Sequence, residues 1–312
     1  MKVFVFDPLW SGLLTSENTQ KINSSGCDVL NISAGSSLEE CPELFSSEED
    51  KVLAINPDYV GWKLSADQFK NIKNLKCIIT QSTSYGWVDT SFAATQGIAV
   101  CNIRNFSTDA VADWAVMMML NLARKIPLLL KDGFPLNFGT DFETYRGINL
   151  KGKTAGIVGV GNIGSAIAER CAGLGMNVQY WNRTSKPVKF KEVGLKEIFD
   201  VSDVIFPCMA DNQDTHGIIT DDMISRMKTN AMLVSIVHKY YNHDLVLDLV
   251  KQDQLFGYGF EADPQSFGSY QGNVWAAPAY AWCTDGSMRK AMDLFVDAIV
   301  LASQGKYPSR VN

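Results

Sequence analysis

The sequence predicts an α/β protein of two domains, each a parallel-sheet α/β unit, the central one a Rossmann-like dinucleotide-binding fold. Three observations carry this. Short apolar, β-branched runs alternate with helical patterns along the chain, as parallel sheets with crossover helices require. One such run, residues 154–160, leads into Gly159, Gly161 and Gly164, a G-x-G-x-x-G with a helix and a second strand following on schedule. The 312 residues, 46% of them hydrophobic, suffice for two cores.

The glycine spacing has a physical meaning at each position. Gly159 allows the tight turn out of the strand. Gly161, lacking Cβ, lets a pyrophosphate approach the backbone, and Gly164 lets the helix pack closely on the strand. Residues 165–174 read as that helix, Gly175 as its C′ residue, and 176–181 as the next strand. The N–H groups of Asn162 and Ile163 are expected to face phosphates at the positive helix end. An acidic residue for the ribose 2′-OH is expected about 20 residues on. The position that fits is Asn182, followed by Arg183, Thr184, Ser185 and Lys186. An amide, a guanidinium, two hydroxyls and an ammonium suit a 2′-phosphate, which a carboxylate would repel. The expected cofactor is NADP(H), with NAD(H) as the alternative.

The other elements follow in order. Residues 2–7 read as a buried strand, 11–50 as polar turns and weak strands, 52–57 as a strand and turn, 75–80 and 98–102 as strands. Trp62 and Lys63 stand beside Gly61 at one strand end, and 82–89 is a polar loop at another, where ligands sit in open α/β sheets. Residues 107–109 cap a helix whose stripe of Val111, Trp114, Ala115, Met118, Met119 and Leu122 marks it as core. A turn-rich passage fills 126–152. Helices are expected over 191–199, 221–227, 244–253 and 285–304, and strands over 204–207, 231–237 and 255–260.

The net charge of −6, with no Lys/Arg block longer than a pair, argues against nucleic acid and anionic membrane as partners. Seven scattered cysteines without C-x-x-C argue against a disulfide framework and a metal site. The first ten residues read as a strand, not a signal peptide, and no run approaches the ~18 apolar residues of a membrane span. A cytoplasmic protein is expected.

The order of motifs from about residue 84 to 281 resembles the D-2-hydroxyacid dehydrogenase family. Tyr85-Gly86 with Asp89, the segment 97–102 leading to Val111-Ala112-Asp113, the run LKGKTAGIVGVGNIG, residues 215–219, 257–259 and Pro278 to Trp282 carry the likeness. The resemblance implies a discontinuous substrate domain of flavodoxin-like type (1–105 plus 283–312) around an NAD(P)-binding domain (106–282), a cleft between them, a small-molecule substrate and a homodimer. It adds Thr108, Met209, Ala210, Thr215, Val237 and Glu261 to the expected cofactor site, Glu261 standing at the family's nicotinamide-contacting Asp.

The acid–base residues differ from the family pattern. The catalytic Arg of an N-x-A-R-G motif is replaced by His238, and the proton-donating His of T-P-H-x-A-W by Ala279; Asp263 stands in for the Glu that pairs with that His. His238 cannot reproduce a bidentate clamp, and Ala279 cannot donate a proton. The reading is therefore an NADP(H)-dependent oxidoreductase that passes hydride to a carbonyl or imine through a rebuilt site. His238 serves as proton donor or substrate anchor, Tyr280 as a phenol donor, Lys63 as an anion contact, and Trp62, Trp87, Tyr240, Tyr241 and Trp282 as an aromatic pocket. His216 and His243 read as structural. The alternatives are a non-catalytic NAD(P)(H)-binding sensor or interaction protein and an ordinary glyoxylate/hydroxypyruvate-like 2-oxo acid reductase.

Overall fold

The computed structural model describes residues 1–32, 35, 37–134, 142–210, 215–236, 241–261 and 269–312. The chain divides into two compact units, Met1–Ser107 with Thr284–Asn312, and Thr108–Cys283.

The first unit is a parallel five-stranded sheet of β1 (Lys2–Phe6), β2 (Asp28–Ile32), β3 (Lys51–Ile55), β4 (Leu75–Thr80) and β5 (Ala99–Asn102), in the order β2-β1-β3-β4-β5. The two-residue strand period splits β1 between two cores. Val3 and Val5 pack with Met292, Phe295 and Ile299 of the closing helix Asp285–Ser303, while Phe4 and Phe6 pack with Leu53, Phe69 and Ile78. Both faces are thus covered, which is why these strands read as continuous apolar runs.

Residues 11–50 hold more helix than the expected turns and weak strands. Ser16–Ser25 is a helix capped by Thr15, whose hydroxyl accepts the Asn18 N–H at 3.1 Å, and Pro42–Ser46 is another. The first buries only Asn18 and Ile22, so it lacks the apolar stripe that announces a helix.

The second unit is a parallel seven-stranded sheet: β6 (Thr154–Val158), β7 (Asn177–Trp181), β8 (Lys191–Glu192), β9 (Val204–Pro207), β10 (Met232–Ser235), β11 (Gly257–Glu261) and β12 (Val274–Ala277), in the order β12-β11-β10-β9-β6-β7-β8. The order reverses between β6 and β9, the doubly wound arrangement with its switch point at those two strands. The helix Thr108–Ala123 lies on the sheet through Met118 and Leu122. A Cβ added at Gly259 would stand 3.3 Å from each, so bare backbone lets the helix settle.

Three expectations change here. The helix foreseen over 191–199 is the short edge strand β8 followed by a helix, Leu195–Val201. The passage 126–152 contains the helices Ile126–Lys131 and Phe142–Tyr145. Strand β12, four residues long and with no alternation, was hidden among turn residues. Among the described residues no helix is long and apolar enough to cross a membrane.

At the carboxyl edge of the first sheet, fully buried Asp7 ends β1. Its Oδ1 accepts the Leu9 N–H at 2.9 Å and Asn56 Nδ2 at 3.0 Å, and its Oδ2 accepts Gln81 Nε2 at 3.0 Å. One carboxyl therefore ties the exits of β1, β3 and β4. Replacing it by alanine leaves three donors without an acceptor. Of the three donors only Asn56 is buried, so at ~1–3 kcal/mol for a buried unmade bond Asp7→Ala is expected to destabilise by ~1–3 kcal/mol, measured by urea denaturation; no measurable loss would contradict the network's role.

Candidate active site

The glycine loop has the geometry its spacing foretells. Gly159 has φ +100°, a left-handed conformation that side chains rarely adopt, and a Cβ there would also meet Met209 Cγ at 3.1 Å. A Cβ at Gly164 would lie 2.0 Å from the Gly159 carbonyl oxygen, so the helix Asn162–Gly173 approaches the strand exit as only glycine permits. At Gly161 nothing stands within 4 Å of the missing Cβ. Two glycines are packed shut and the middle one opens on free space. The helix begins at Asn162, three residues earlier than its apolar face suggests, with Gly161 as its N-cap, so Asn162 and Ile163 form the first turn. The first N–H groups of a helix lack intrahelical acceptors and favour anions. These features fit a dinucleotide pyrophosphate.

The rim is braced from the neighbouring strands. The Gly159 N–H donates to the Trp181 carbonyl at 2.8 Å, and the Cys208 N–H to Val158 at 2.8 Å. Asn182 Oδ1 accepts the Val160 N–H at 3.1 Å, and its Nδ2 donates to the Thr184 carbonyl at 2.7 Å. Asn182 therefore fastens the glycine loop to the turn after β7, a role its position alone does not announce. In the same turn Ser185 donates to Glu192 Oε2 at 2.7 Å, and Arg183, Thr184 and Lys186 stand beside it. Beyond β9, Met209 packs on the glycine loop, and the Thr215 hydroxyl donates to the Ala210 carbonyl at 2.7 Å. Thr108 opens the long helix of this unit.

On the other half of this sheet, Glu261 ends β11. Its neighbour in register on β12 is Ala277, and its Oε1 accepts the Ala281 N–H at 3.2 Å. Burial pushes its carboxyl up to about 7, opposed only by that N–H; among the described residues no charged group perturbs it. Tyr280 lies in the same turn, 58% exposed.

Tyr241, expected in an aromatic pocket, is instead buried in the core. Its hydroxyl meets that of Tyr258 at 2.9 Å, and Tyr258 in turn meets His243 Nδ1 at 2.8 Å. A ring bordered by Tyr258 on an interior strand is more stable packed than wet. Burial pushes the Tyr241 phenol up to about 12. His243 opens the helix His243–Lys251 and packs edge-on against Phe260 at 4.6 Å. His216 is exposed in the turn after Thr215. Val237, His238, Tyr240 and Asp263 lie outside the described residues.

In the first unit, Lys63 is exposed in the turn after β3. Trp62 beside it has φ +57°, donates Nε1 to Asp58 Oδ1 at 2.7 Å, and meets the Trp87 ring edge-on at 6.2 Å. The Leu64 N–H donates to the Trp87 carbonyl at 2.8 Å, joining the turn that carries Lys63 to the loop after β4. Asp7, which anchors both, escaped sequence reading; its only signal is an acidic residue closing an apolar strand.

Comparison with known proteins agrees with this architecture. Residues 116–265 match the model of the D-isomer specific 2-hydroxyacid dehydrogenase, NAD binding domain. A glyoxylate reductase of Thermococcus onnurineus is 27% identical over 263 residues, covering 79% of this chain and 78% of that enzyme. One of Thermococcus litoralis is 31% identical over 218 residues, 65% of each chain. Among solved structures, an acyclic imino acid reductase in complex with NADPH and D-arginine superposes with a TM-score of 0.82 at 24% identity, over 100% of both chains. The glycine loop, the strand order and these likenesses agree: the chain is an oxidoreductase that carries, over residues 116–265, the NAD-binding domain of the D-isomer specific 2-hydroxyacid dehydrogenases.

Proposed function

We propose that this protein is an NADP(H)-dependent reductase that delivers hydride to a carbonyl or imine next to a carboxylate, through an active site rebuilt around the loss of the family's Arg and His. The observation that carries the reading is the open Gly161 between two closed glycines, next to a turn in which Arg183 and Lys186 stand and Asn182 replaces a carboxylate. Bound there, the dinucleotide supplies the hydride. The chain's own residues hold it: the first turn of Asn162–Gly173 at the pyrophosphate, Arg183 and Thr184 at the 2′-phosphate, and Thr108, Met209, Ala210, Thr215 and Val237 along its length. Glu261 borders the nicotinamide end. His238 and Lys63 anchor the anionic substrate, with Asp263 and Tyr280 beside the reacting atoms.

An imine is favoured by chemistry as well as by the imino acid reductase fold. Without a guanidinium clamp, a 2-oxo acid loses the group that polarises its uncharged carbonyl. A protonated imine already carries positive charge at the acceptor and needs less help. The second reading, reduction of a simple 2-oxo acid, draws on the glyoxylate reductases that align with 79% of the chain.

Three measurements check these assignments. Arg183→Ala is expected to weaken NADPH binding ~10- to 100-fold, the worth of charge-assisted hydrogen bonds, and to leave NADH binding within about twofold; equal loss of both would refute the 2′-phosphate role. With NADPH, turnover should be fastest on 2-imino acids formed from a 2-oxo acid and an amine, and His238→Ala should raise KM for them; preference for glyoxylate without amine would select the second reading. Leu120 and Leu174 are exposed apolar side chains of the second unit, and we infer that they contribute to a contact with a second copy of the chain. Light scattering should show a homodimer that Leu120→Glu with Leu174→Glu dissociates; a monomeric parent would end that expectation.

A further inference from the structure

The resemblance assigns the family's proton donor to the position of Ala279, in the turn after β12, and an alanine there requires the reduction to take its proton from elsewhere. We propose that Glu261 is the general acid: its carboxyl donates the proton that the substrate nitrogen or oxygen takes up as hydride reaches the neighbouring carbon. This goes beyond holding the nicotinamide end and rests on the reductase reading above.

The geometry is specific. Glu261 brackets the turn that has lost its histidine. Its backbone is in register with Ala277 at the start of that turn, and its Oε1 accepts the N–H of Ala281 at the end, 3.2 Å away. Ala279 lies between these two points, exposed, and its methyl group cannot donate a proton. The carboxyl is thereby delivered into the vacated turn from the adjacent strand. Both β10 and β11 end on the half of the sheet beyond the β6/β9 switch point, the half that receives the second nucleotide of a dinucleotide.

The chemistry suits the place. Glu261 has one N–H partner and, among the described residues, no cation and no second carboxylate acting on it. Burial holds its proton up to about 7, so it is partly protonated at neutral pH, where an efficient general acid should be poised. In the step, the Glu261 O–H bond breaks and an N–H or O–H bond forms on the substrate. The C=N or C=O π pair moves to that heteroatom as the carbon gains hydride from the reduced dinucleotide. The substrate is reduced by two electrons, the dinucleotide is oxidised, and the carboxylate recovers its proton from water.

Glu261→Gln tests this, because the amide oxygen keeps the bond to Ala281 while the ionisable proton is lost. In the parent, turnover of a neutral imine or carbonyl should fall as pH rises through about 7, since only the protonated acid donates. Glu261→Gln should lower that turnover ~100-fold or more, within the usual worth of a general acid, and lose this pH dependence. A cyclic N-alkyl iminium acid carries its charge permanently and takes hydride without a proton, so its reduction should fall far less than that of the neutral substrates in the same variant. Independently of turnover, the parent without dinucleotide should show a carboxylic-acid C=O infrared band titrating near pH 7 that Glu261→Gln lacks. Undiminished turnover of neutral substrates, an equal loss on the N-alkyl iminium, or a band titrating in the ordinary carboxylate range would each overturn the assignment. A parent that reduces none of these substrates with either dinucleotide would end the reductase reading and the donor role with it, whereas a Glu261→Gln failure alone leaves that reading standing.

Discussion

The cofactor half of this protein depends on one close approach. The helix Asn162–Gly173 comes so near the exit of β6 that a methyl group on Gly164 would overlap the Gly159 carbonyl at 2.0 Å. That contact fixes the angle at which the helix leaves the sheet, and with it the direction of the helix N-terminus. The Gly159 backbone, at φ +100°, makes the turn that brings the helix there, and Met209 fills the space behind it. The open position at Gly161 is a consequence: once its neighbours on both sides are closed, the middle of the loop is the one place left for a ligand to reach the backbone. Asn182 completes the arrangement by joining the loop to the next strand.

The two units solve the carboxyl-edge problem in opposite ways. In the second unit the loops meet through backbone and glycine, and the edge stays open to an anion. In the first, a charged side chain closes it. Asp7 gathers donors from the exits of three strands. Farther along, Asn102 donates to the Thr83 carbonyl at 2.6 Å and accepts Arg104 Nε at 3.0 Å. A carboxyl without a cation is costly to bury, and burial raises the Asp7 pKa against the three hydrogen bonds that lower it. Such a network is stiff because each of its members would lose a partner if one moved. It gives the turns after β3 and β4, which carry Lys63, Trp62 and Trp87, a fixed base.

What the sequence made legible follows from which signals are local. The glycine loop was readable to the level of what each glycine does, because turn, approach and packing all act within six residues. Buried parallel strands were readable as apolar runs, and Thr108–Ala123 by its stripe. Ser16–Ser25 was not, because a helix with two buried residues leaves no period to find. Tyr241 misled because an aromatic next to a candidate site looks like a pocket wall, and only the neighbouring strand, 17 residues on, supplies the hydroxyl that draws it inward. Asn182 also joins Val160 and Thr184 through its amide, a bond pattern invisible without the fold. The pairing of Glu261 with Ala281 is of the same kind: 20 residues separate them in the chain, and the register of β11 on β12 brings them together.

In the proposed donor role, that pairing would supply a proton beside Ala279, the position to which the resemblance assigns the family's histidine. An imidazole titrates near neutral pH unaided, whereas a carboxyl reaches that range only when desolvated. β11 ends beside the turn, and burial raises the Glu261 carboxyl to about 7. The change has a chemical consequence. An imidazolium leaves a neutral ring behind after donating, but a carboxyl leaves an anion, and an anion beside the substrate stabilises a cation there. A site built this way favours an acceptor that is positive when hydride arrives. In the proposed reading, His238 at the position of the family's guanidinium works in the same direction, since it takes away a fixed positive charge that would repel an iminium. The two proposed departures would then amount to one electrostatic change, toward a site that tolerates a cationic imine.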